Sequence, residues 1–527
     1  MASVSTWRKF SAFLILFGSL VFVSFMICVS YSVFDKFWKH TVEKNVQLKN
    51  GTEAFKNWKS PSSDVYMQFF MFNLTNAKNV SDGKKPSVKQ VGPYSYREIR
   101  KNVPRFFNHE SNTLAYFSQK AYVFDKATSC AGCDPVKDKF VTINIPLLKL
   151  SELVKKGVDS LPHGLAILLL PLLNQFFGKE DVFRARSVSD LLWGYDDFIL
   201  SRFHNFTVEL NKQLKNHTLP FHVPIINSLV MLQSNNTNTS GEIHTGVGKI
   251  DRLGAYVKYN GMSTLPWWHT KWANMINGTD GTIFHPDINK GDHLPIFSSD
   301  ICRSINIRYH STVDVEGIPL YRFFAGPEQF KYNADNRAGF CNPDANSCVP
   351  DGLLDVSVCK PLNVPVVVSL PHFLFANKTV IDSVNGMHPN EEDHSTFISI
   401  EPNTGITMQA NKRIQVNVAL TNLTGITQFE NMRTVFLPVL FVNETAVISK
   451  SDADKFKNDV LLPKKLLDIG KYVFIGVGLI IMVLGLILLR VKGRKVRHSE
   501  TSVQIQNEQV GGSEKSPLMR SVQNYVT

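Results

Sequence analysis

Charge is scarce in this chain of 527 residues: Asp, Glu, Lys and Arg together make 19%, against about 25% in an average soluble domain. Glycine (31) and proline (25) are no more frequent than usual, and no repeat or low-complexity linker is present. This composition excludes a disordered chain, a collagen and a coiled coil. Catalytic signatures are missing as well. There is no GxSxG, no P-loop and no complete GxGxxG, because Gly246-Val-Gly248 lacks the third glycine and a helix pattern after it. His388 and His394 stand six apart with Glu391, Glu392 and Asp393 between them, but Pro389 opposes the helix that an HExxH-type metal site needs. The expectation is a protein without enzymatic activity, cofactor or metal.

What is present is apolar: 43% of the chain, including 37 Phe, enough for a large core. Two runs are free of charge, residues 10–34 and residues 472–489. At about 1.5 Å per residue each can cross a hydrocarbon layer about 30 Å thick, the second with Val491 included. The first run is longer than the roughly 7–15 apolar residues of a signal peptide and has no clean small-x-small cleavage site before Asp35, so an uncleaved anchor is expected. Arg8 and Lys9 precede the first span; Arg490, Lys492, Arg494, Lys495 and Arg497 follow the second. By the positive-inside rule the spans are 10–34 and 472–491, the tails 1–9 and 492–527 are cytosolic, and 35–471 is exoplasmic. Half of the net charge of +12 lies in residues 1–9 and 490–527, so no basic groove for nucleic acid is implied.

Eleven Asn-x-Ser/Thr sequons agree with that threading: Asn50, Asn73, Asn79, Asn205, Asn216, Asn235, Asn238, Asn277, Asn377, Asn422 and Asn443 all lie between the spans. Residues 161–177 look membrane-like, but the unbroken apolar stretch from Gly164 to Leu173 is too short to span and Pro171 interrupts it. An apolar helix pair, buried or displayed, is the reading. Of seven cysteines, Cys28 falls in the first span and six are exoplasmic, an even set that fits disulfides with 15 possible pairings. Cys130-Ala-Gly-Cys133 reads as a small local clip. Strands are expected at 65–72, 120–124, 140–145, 304–309, 364–370, 413–420 and 435–442, separated by turns such as Asn260-Gly261 and Asn403-Thr-Gly405, with helices concentrated near 147–200. One large α+β domain follows.

Residues VGPYSYRE (91–98), LLWGY (191–195), NMINGTDG (274–281), EGIPLYRF (316–323), GFC (339–341), PHF (371–373) and GMHPNEEDHSTFISIEPNTGI (386–406) occur in order between the two spans. This series resembles the class B scavenger receptor family, and NGTEAF (50–55) and YMQFFMFNLTN (66–76) look closest to its lysosomal member. The resemblance implies a large antiparallel β-barrel with an apical helical bundle and an internal apolar tunnel. Read from composition alone, the Phe residues suit either an acyl-chain lining or a solid core. The resemblance also implies the pairs Cys302–Cys359 and Cys341–Cys348. Trp272 stands where relatives usually carry a cysteine, and Cys130 with Cys133 is an additional pair.

Function is implied in the same way. In the lysosomal member the bundle binds the hydrolase β-glucocerebrosidase and releases it on acidification. The corresponding apolar strip here offers Leu161, His163, Leu165, Leu168, Leu172 and Phe176. The family's pH-sensing histidine aligns near Gly157, which leaves His163 as the titratable group of the strip. Lys155, Lys156 and Lys179 are the candidates for anionic lipid head groups, with Arg184 and Arg186 nearby. In the C-tail, Glu514 stands four residues before Leu518-Met519, which resembles an acidic dileucine signal read by clathrin adaptors. Two aliphatic side chains fill apolar pockets while the carboxylate meets a basic patch. The expected partners are a lysosomal hydrolase, lipids (cholesterol, phospholipid, fatty acid) and clathrin adaptors, at the lysosome membrane. A plasma-membrane scavenger receptor for lipoproteins, fatty acids or microbes is the alternative. Gly478 and Gly485 share one face of the second span, a small-residue stripe compatible with a homo-oligomer.

Overall fold

The computed structural model describes residues 17–213, 228–229 and 239–511. The chain forms two compact units, Val42–Lys455 and the pair of terminal segments outside it. The larger unit carries seventeen strands among the described residues. They begin with β1 (Val65–Leu74), β2 (Val88–Asn108), β3 (Thr113–Phe124), β4 (Lys139–Ile143), β5 (Phe183–Ser187) and β6 (Tyr195–Asp196). Next come β7 (Ser228–Leu229), β8 (Thr239–His244), β9 (Tyr256–Tyr259), β10 (His293–Ser298), β11 (Arg303–Val315) and β12 (Ile318–Phe324). The last are β13 (Leu353–Asp355), β14 (Val366–Ser369), β15 (Phe397–Glu401), β16 (Ile406–Leu420) and β17 (Val435–Val447).

Thirteen of these form one antiparallel sheet in the order β10-β11-β12-β15-β16-β17-β1-β2-β3-β8-β9, with β14 joining at β16 and β13 at β14. The sheet curls until its first and last strands meet. The Tyr256 and Tyr259 rings of β9 lie 5.5 and 5.0 Å from the Phe297 ring of β10. Backbone completes the seam: Tyr256 N–H donates to the Gly278 carbonyl and Phe297 N–H to the Thr279 carbonyl, both at 2.9 Å. The NMINGTDG sequence thus stitches an almost closed barrel. Gly278 has φ of 89°, and a Cβ there would stand 2.0 Å from the Pro295 carbonyl oxygen. Only glycine fits this position.

Each of the seven expected strands is found, most of them longer than read. The strand at 140–145 ends at Ile143 because the Asn144 side chain accepts the Leu147 N–H and, with Pro146 in the first turn, starts a helix. Four helices follow in this region: α1 (Ile145–Asp159), α2 (His163–Phe177), α3 (Val188–Trp193) and α4 (Ile199–Gln213). The expected interruption at Pro171 is corrected, since α2 is one helix with Pro171 inside it. A proline in a helix interior costs about 3 kcal/mol. Burial of Leu169, Leu173 and Phe177 on the opposite face offsets that cost. These side chains join Leu147, Leu150 and Val154 of α1, Phe203 of α4, and Val418, Leu420 and Leu437 of the sheet in the largest core cluster.

In the terminal unit, two helices are long and apolar enough to cross a membrane, Phe17–Val46 and Lys450–Leu488. Outside residues 42–455 they pack on each other: Phe34 meets Phe474 at 6.1 Å and Lys471 Nζ reaches Asp35 Oδ1 at 2.8 Å. Gly478 faces Met26 of the same chain, while Gly485 meets nothing within 4 Å. The small-residue stripe is therefore used in part within the molecule.

Two glycines test the seam. Gly261 also has positive φ, 79°, but open space around it. Gly261→Ala is expected to cost about 1 kcal/mol. Gly278→Ala should cost more than about 2 kcal/mol, because backbone must move. Thermal denaturation of the two variants side by side checks this ordering.

Candidate functional site

The helical region presents a helix with two distinct faces, α2. The buried face of α2 is locked by aromatic packing: Phe176 lies 5.3 Å from Phe203 and 5.2 Å from Phe206, and Phe177 stacks on Phe203 at 5.6 Å. Asn174 then ties the helix to a loop of the sheet. Its Nδ2 donates to the Gly425 carbonyl at 2.8 Å and its Oδ1 accepts the Thr427 N–H at 3.1 Å. Just beyond the helix, buried Glu180 pairs with Arg184 and with Arg202 of α4. The other face is displayed, with Ile167 56%, Leu168 70% and Leu172 44% exposed. A rigid helix holding three large aliphatic side chains in water has the form of a docking surface.

The strip differs in detail from its expected composition. Leu161, Leu165 and Phe176 are half-buried against the core rather than displayed, His163 is exposed in the first turn of α2, and Ile167 belongs to the displayed group. Among the lipid head-group candidates, Lys155 already pairs with Asp159 at 2.5 Å. Arg184 holds Glu180, and Arg186 pairs with Asp197 at 3.3 Å and covers the Tyr195 ring. Lys156 and Lys179 are exposed.

A second feature lies deep inside the sheet. On β2 the side chains Tyr94, Tyr96, Glu98, Arg100 and Asn102 share one face, while Arg97, Ile99 and Lys101 share the other. Arg100 Nε donates to Glu98 Oε1 at 2.7 Å and its Nη2 to Glu444 Oε1 at 2.9 Å. Lys120 of β3 approaches Glu98 at 3.3 Å. Lys412 of β16 bridges Glu444, at 3.5 Å, and Asp300 in the β10–β11 turn. Six charges from five parts of the sheet thus form one balanced network. Lys412 and Asp300 keep 34% and 56% of their side-chain surface accessible. Glu98 Oε2 has no hydrogen-bond partner.

Electrostatics keep Glu444, Lys412 and Asp300 ionised. Burial opposes the Glu444 carboxylate, yet Lys412, Lys120 and Arg100 outweigh burial and hold its pKa well below the ordinary range. Burial likewise opposes the Lys412 ammonium, but Asp300 and Glu444 hold its pKa above the usual lysine value. Lys412 in turn lowers the Asp300 pKa. The sequence reading missed this site. Its signal was available as charged residues on the buried phase of a strand that also carries Tyr94 and Tyr96. Closer to the seam, Trp58, Tyr116, Ile243, Gly254, Tyr256, Asp280 and Ile283 line a gap too narrow to admit a water molecule.

The remaining sequence-derived positions fall as follows. Disulfides join Cys130 to Cys133, Cys302 to Cys359 and Cys341 to Cys348. Asn50, Asn79, Asn205, Asn277, Asn377 and Asn422 are exposed, whereas Asn73 and Asn443 are half-buried. Asn443 Nδ2, the atom that would carry a sugar, donates to Gln68 Oε1 at 2.8 Å. Asn216, Asn235, Asn238, Glu514, Leu518 and Met519 lie outside the described residues. Among the described residues, no group of three or more His, Cys, Asp or Glu side chains is arranged to hold a metal ion.

The chain is a nearly closed antiparallel barrel with a helical cap and an apolar helix near each terminus. The signature of the CD36 family matches residues 16–489, and the chain belongs to that family of class B scavenger receptors. The chain is 36% identical over 440 residues to Lysosome membrane protein 2 of Homo sapiens, covering 83% of this chain and 86% of that protein. It is 30% identical over 455 residues to Scavenger receptor class B member 1 of Mus musculus (86% and 83%). It is 29% identical over 491 residues to the Bos taurus protein of the same name (92% and 91%).

The ion network sets a pH expectation. A carboxylate with a lowered folded pKa contributes stability that is fully present above its unfolded value of about 4.3 and is lost only as pH falls through the folded one. Glu444→Gln is therefore expected to cost about 1–3 kcal/mol, between an exposed and a buried ion pair, and equally at pH 7 and pH 5. Melting curves at both pH values check this, and a cost confined to pH 7 would contradict it.

Proposed function

We propose that this protein is a lysosome-membrane receptor with both tails in the cytosol and a glycosylated barrel in the lumen. Its apical strip captures a lysosomal hydrolase of the β-glucocerebrosidase kind for delivery, and its barrel conducts lipid, cholesterol or phospholipid, toward the bilayer. The observation that carries the receptor reading is the displayed Ile167, Leu168 and Leu172 face on a helix whose opposite face is locked into the core. The 36% identity to proteins named Lysosome membrane protein 2 supports the location. Basic residues beside each apolar run support the threading, and Glu514, Leu518 and Met519 supply the sorting signal for clathrin adaptors.

A plasma-membrane scavenger receptor for lipoproteins, fatty acids or microbial ligands is the second reading, favoured by the 29–30% identity to proteins named Scavenger receptor class B member 1. Imaging separates the two. A Leu518→Ala, Met519→Ala double variant is expected to leave lysosomes and collect at the cell surface, and unchanged lysosomal residence would discard the sorting signal. Hydrolase capture is tested apart from location. Leu168→Asp places a charge on the strip without touching the core, and should abolish binding of β-glucocerebrosidase at neutral pH in a pull-down while leaving the melting temperature unchanged.

A further inference from the structure

His372 sits in the short turn Pro371–Phe373 with φ of 54° and is 6% exposed. Its imidazole stacks on that of His394 at 4.5 Å and meets the edges of Phe72 at 5.5 Å and Phe441 at 6.1 Å. Hydrogen bonds define its protonation. The backbone N–H of His388 donates to Nδ1 at 3.1 Å, so Nδ1 must offer a bare lone pair. The single ring proton is then on Nε2, which donates to Gln90 Oε1 at 2.5 Å. His394, 8% exposed, is used in the same way: the backbone N–H of Asn390 donates to its Nδ1 at 2.9 Å. Two stacked histidines from different segments therefore accept hydrogen bonds from a single turn, residues 388–390.

A second proton on either ring has only Nδ1 to occupy. It converts that acceptor into a donor facing a backbone N–H, and the hydrogen bond is lost. With both rings charged, two cations stand 4.5 Å apart in an apolar setting. We propose that His372 and His394 form an acid-operated latch: protonation releases the 386–390 turn from the face of the sheet that Gln90, Phe72, Gln415 and Phe441 present, while neutral imidazoles hold it down.

The surroundings set where the latch operates. Burial is the leading influence on both rings and pushes His372 down to about 4, with His394 and His388 adding to the effect. The Gly386 carbonyl favours a charged His372 but is outweighed. His394 is also lowered, by burial first; Asp393 favours its charged form and Arg413 disfavours it. The other groups packed on His372 are neutral: Gln415 Oε1 accepts its backbone N–H at 2.7 Å, and Gln90 and the two phenylalanines complete the shell. The Arg413 guanidinium also holds the Glu392 and Ser395 carbonyls, at 3.0 and 2.9 Å, in bonds that do not titrate. Residues 391–396 are thus retained while the turn before them lifts.

A histidine with a depressed pKa binds its proton more readily once released, so the latched state is favoured above about pH 6.5 and weakens as pH falls toward 4. From His372 alone, the released-to-latched ratio rises about 30-fold between pH 7.5 and pH 5. The test is amide hydrogen exchange of the full-length protein in detergent at pH 7.5 and 5.0, corrected for the intrinsic pH dependence of exchange. Expected is a loss of protection of about 30-fold or more at residues 386–390 at pH 5, with β16 unchanged. Equal protection at the two pH values overturns the latch. In a His372→Asn, His394→Asn variant the side-chain oxygens replace the Nδ1 acceptors without titrating, so the pH effect should vanish. Its persistence in that variant also overturns the proposal. Should the variant fail to fold, histidine C2–H exchange by mass spectrometry reads each ring in the wild-type protein. A value well below 6.5 for His372, with His394 also lowered, supports the latch, and an ordinary value near 6.5 for His372 refutes it.

Discussion

A sheet that curls until its two edge strands touch must divide its side chains into those that see the outside and those that see the enclosed space. Here that division depends on a small join, the Gly278-Thr279 backbone that links β9 to β10. Closure removes the exposed strand edges that would otherwise invite pairing with other chains. It also fixes what strand alternation can place within. Glu98, Arg100, Lys120, Lys412 and Glu444 come from strands distant in sequence, yet the register sets them side by side, and Asp300 completes their balance from the turn after β10. Without the join those charges would face bulk water, where their mutual attraction would count for little.

The two sets of titratable groups inside this fold answer acid in opposite ways, for one physical reason. Glu444 and Asp300 are surrounded by cations that outweigh the cost of burial, so they stay ionised well into acid. The histidines near 372 and 394 meet burial without a dominant anion, so they stay neutral longer than usual. Acid therefore leaves the ion pairs within the sheet intact and stresses a surface-packed turn. Stability and conformational response are carried by different residues, and the fold can lose one contact in acid without loosening its frame.

Much of this was legible in the sequence. Alternation and turn residues located seven strands, and the Asn260-Gly261 and Asn403-Thr-Gly405 turns stand where they were read. What escaped was non-local. Strand β2 was missed because its prolines and charges disguise the alternation, and Pro93 and Pro104 are accommodated only by its irregular pairing with neighbours. Glu98 looked like part of a family motif, and nothing within ten residues announces that Glu444 and Lys412 will neutralise its surroundings. Leu161, Leu165 and Phe176 were grouped with Leu168 because hydropathy has no direction. Only the packing of α2 on α4 shows which side of the helix is spent on the core.

Pro171 stands on the displayed side of α2, between Leu168 and Leu172. Having no N–H, it leaves the carbonyl of Ile167 without its usual donor one turn later. That oxygen is a fixed polar point beside Leu168 and Leu172. Any surface that covers this patch must either bring a donor to the same place or strand the oxygen in a dry setting, which costs about 1–3 kcal/mol. A bare greasy helix would accept many lids; this one carries a backbone acceptor by which a correct lid is told from an approximate one.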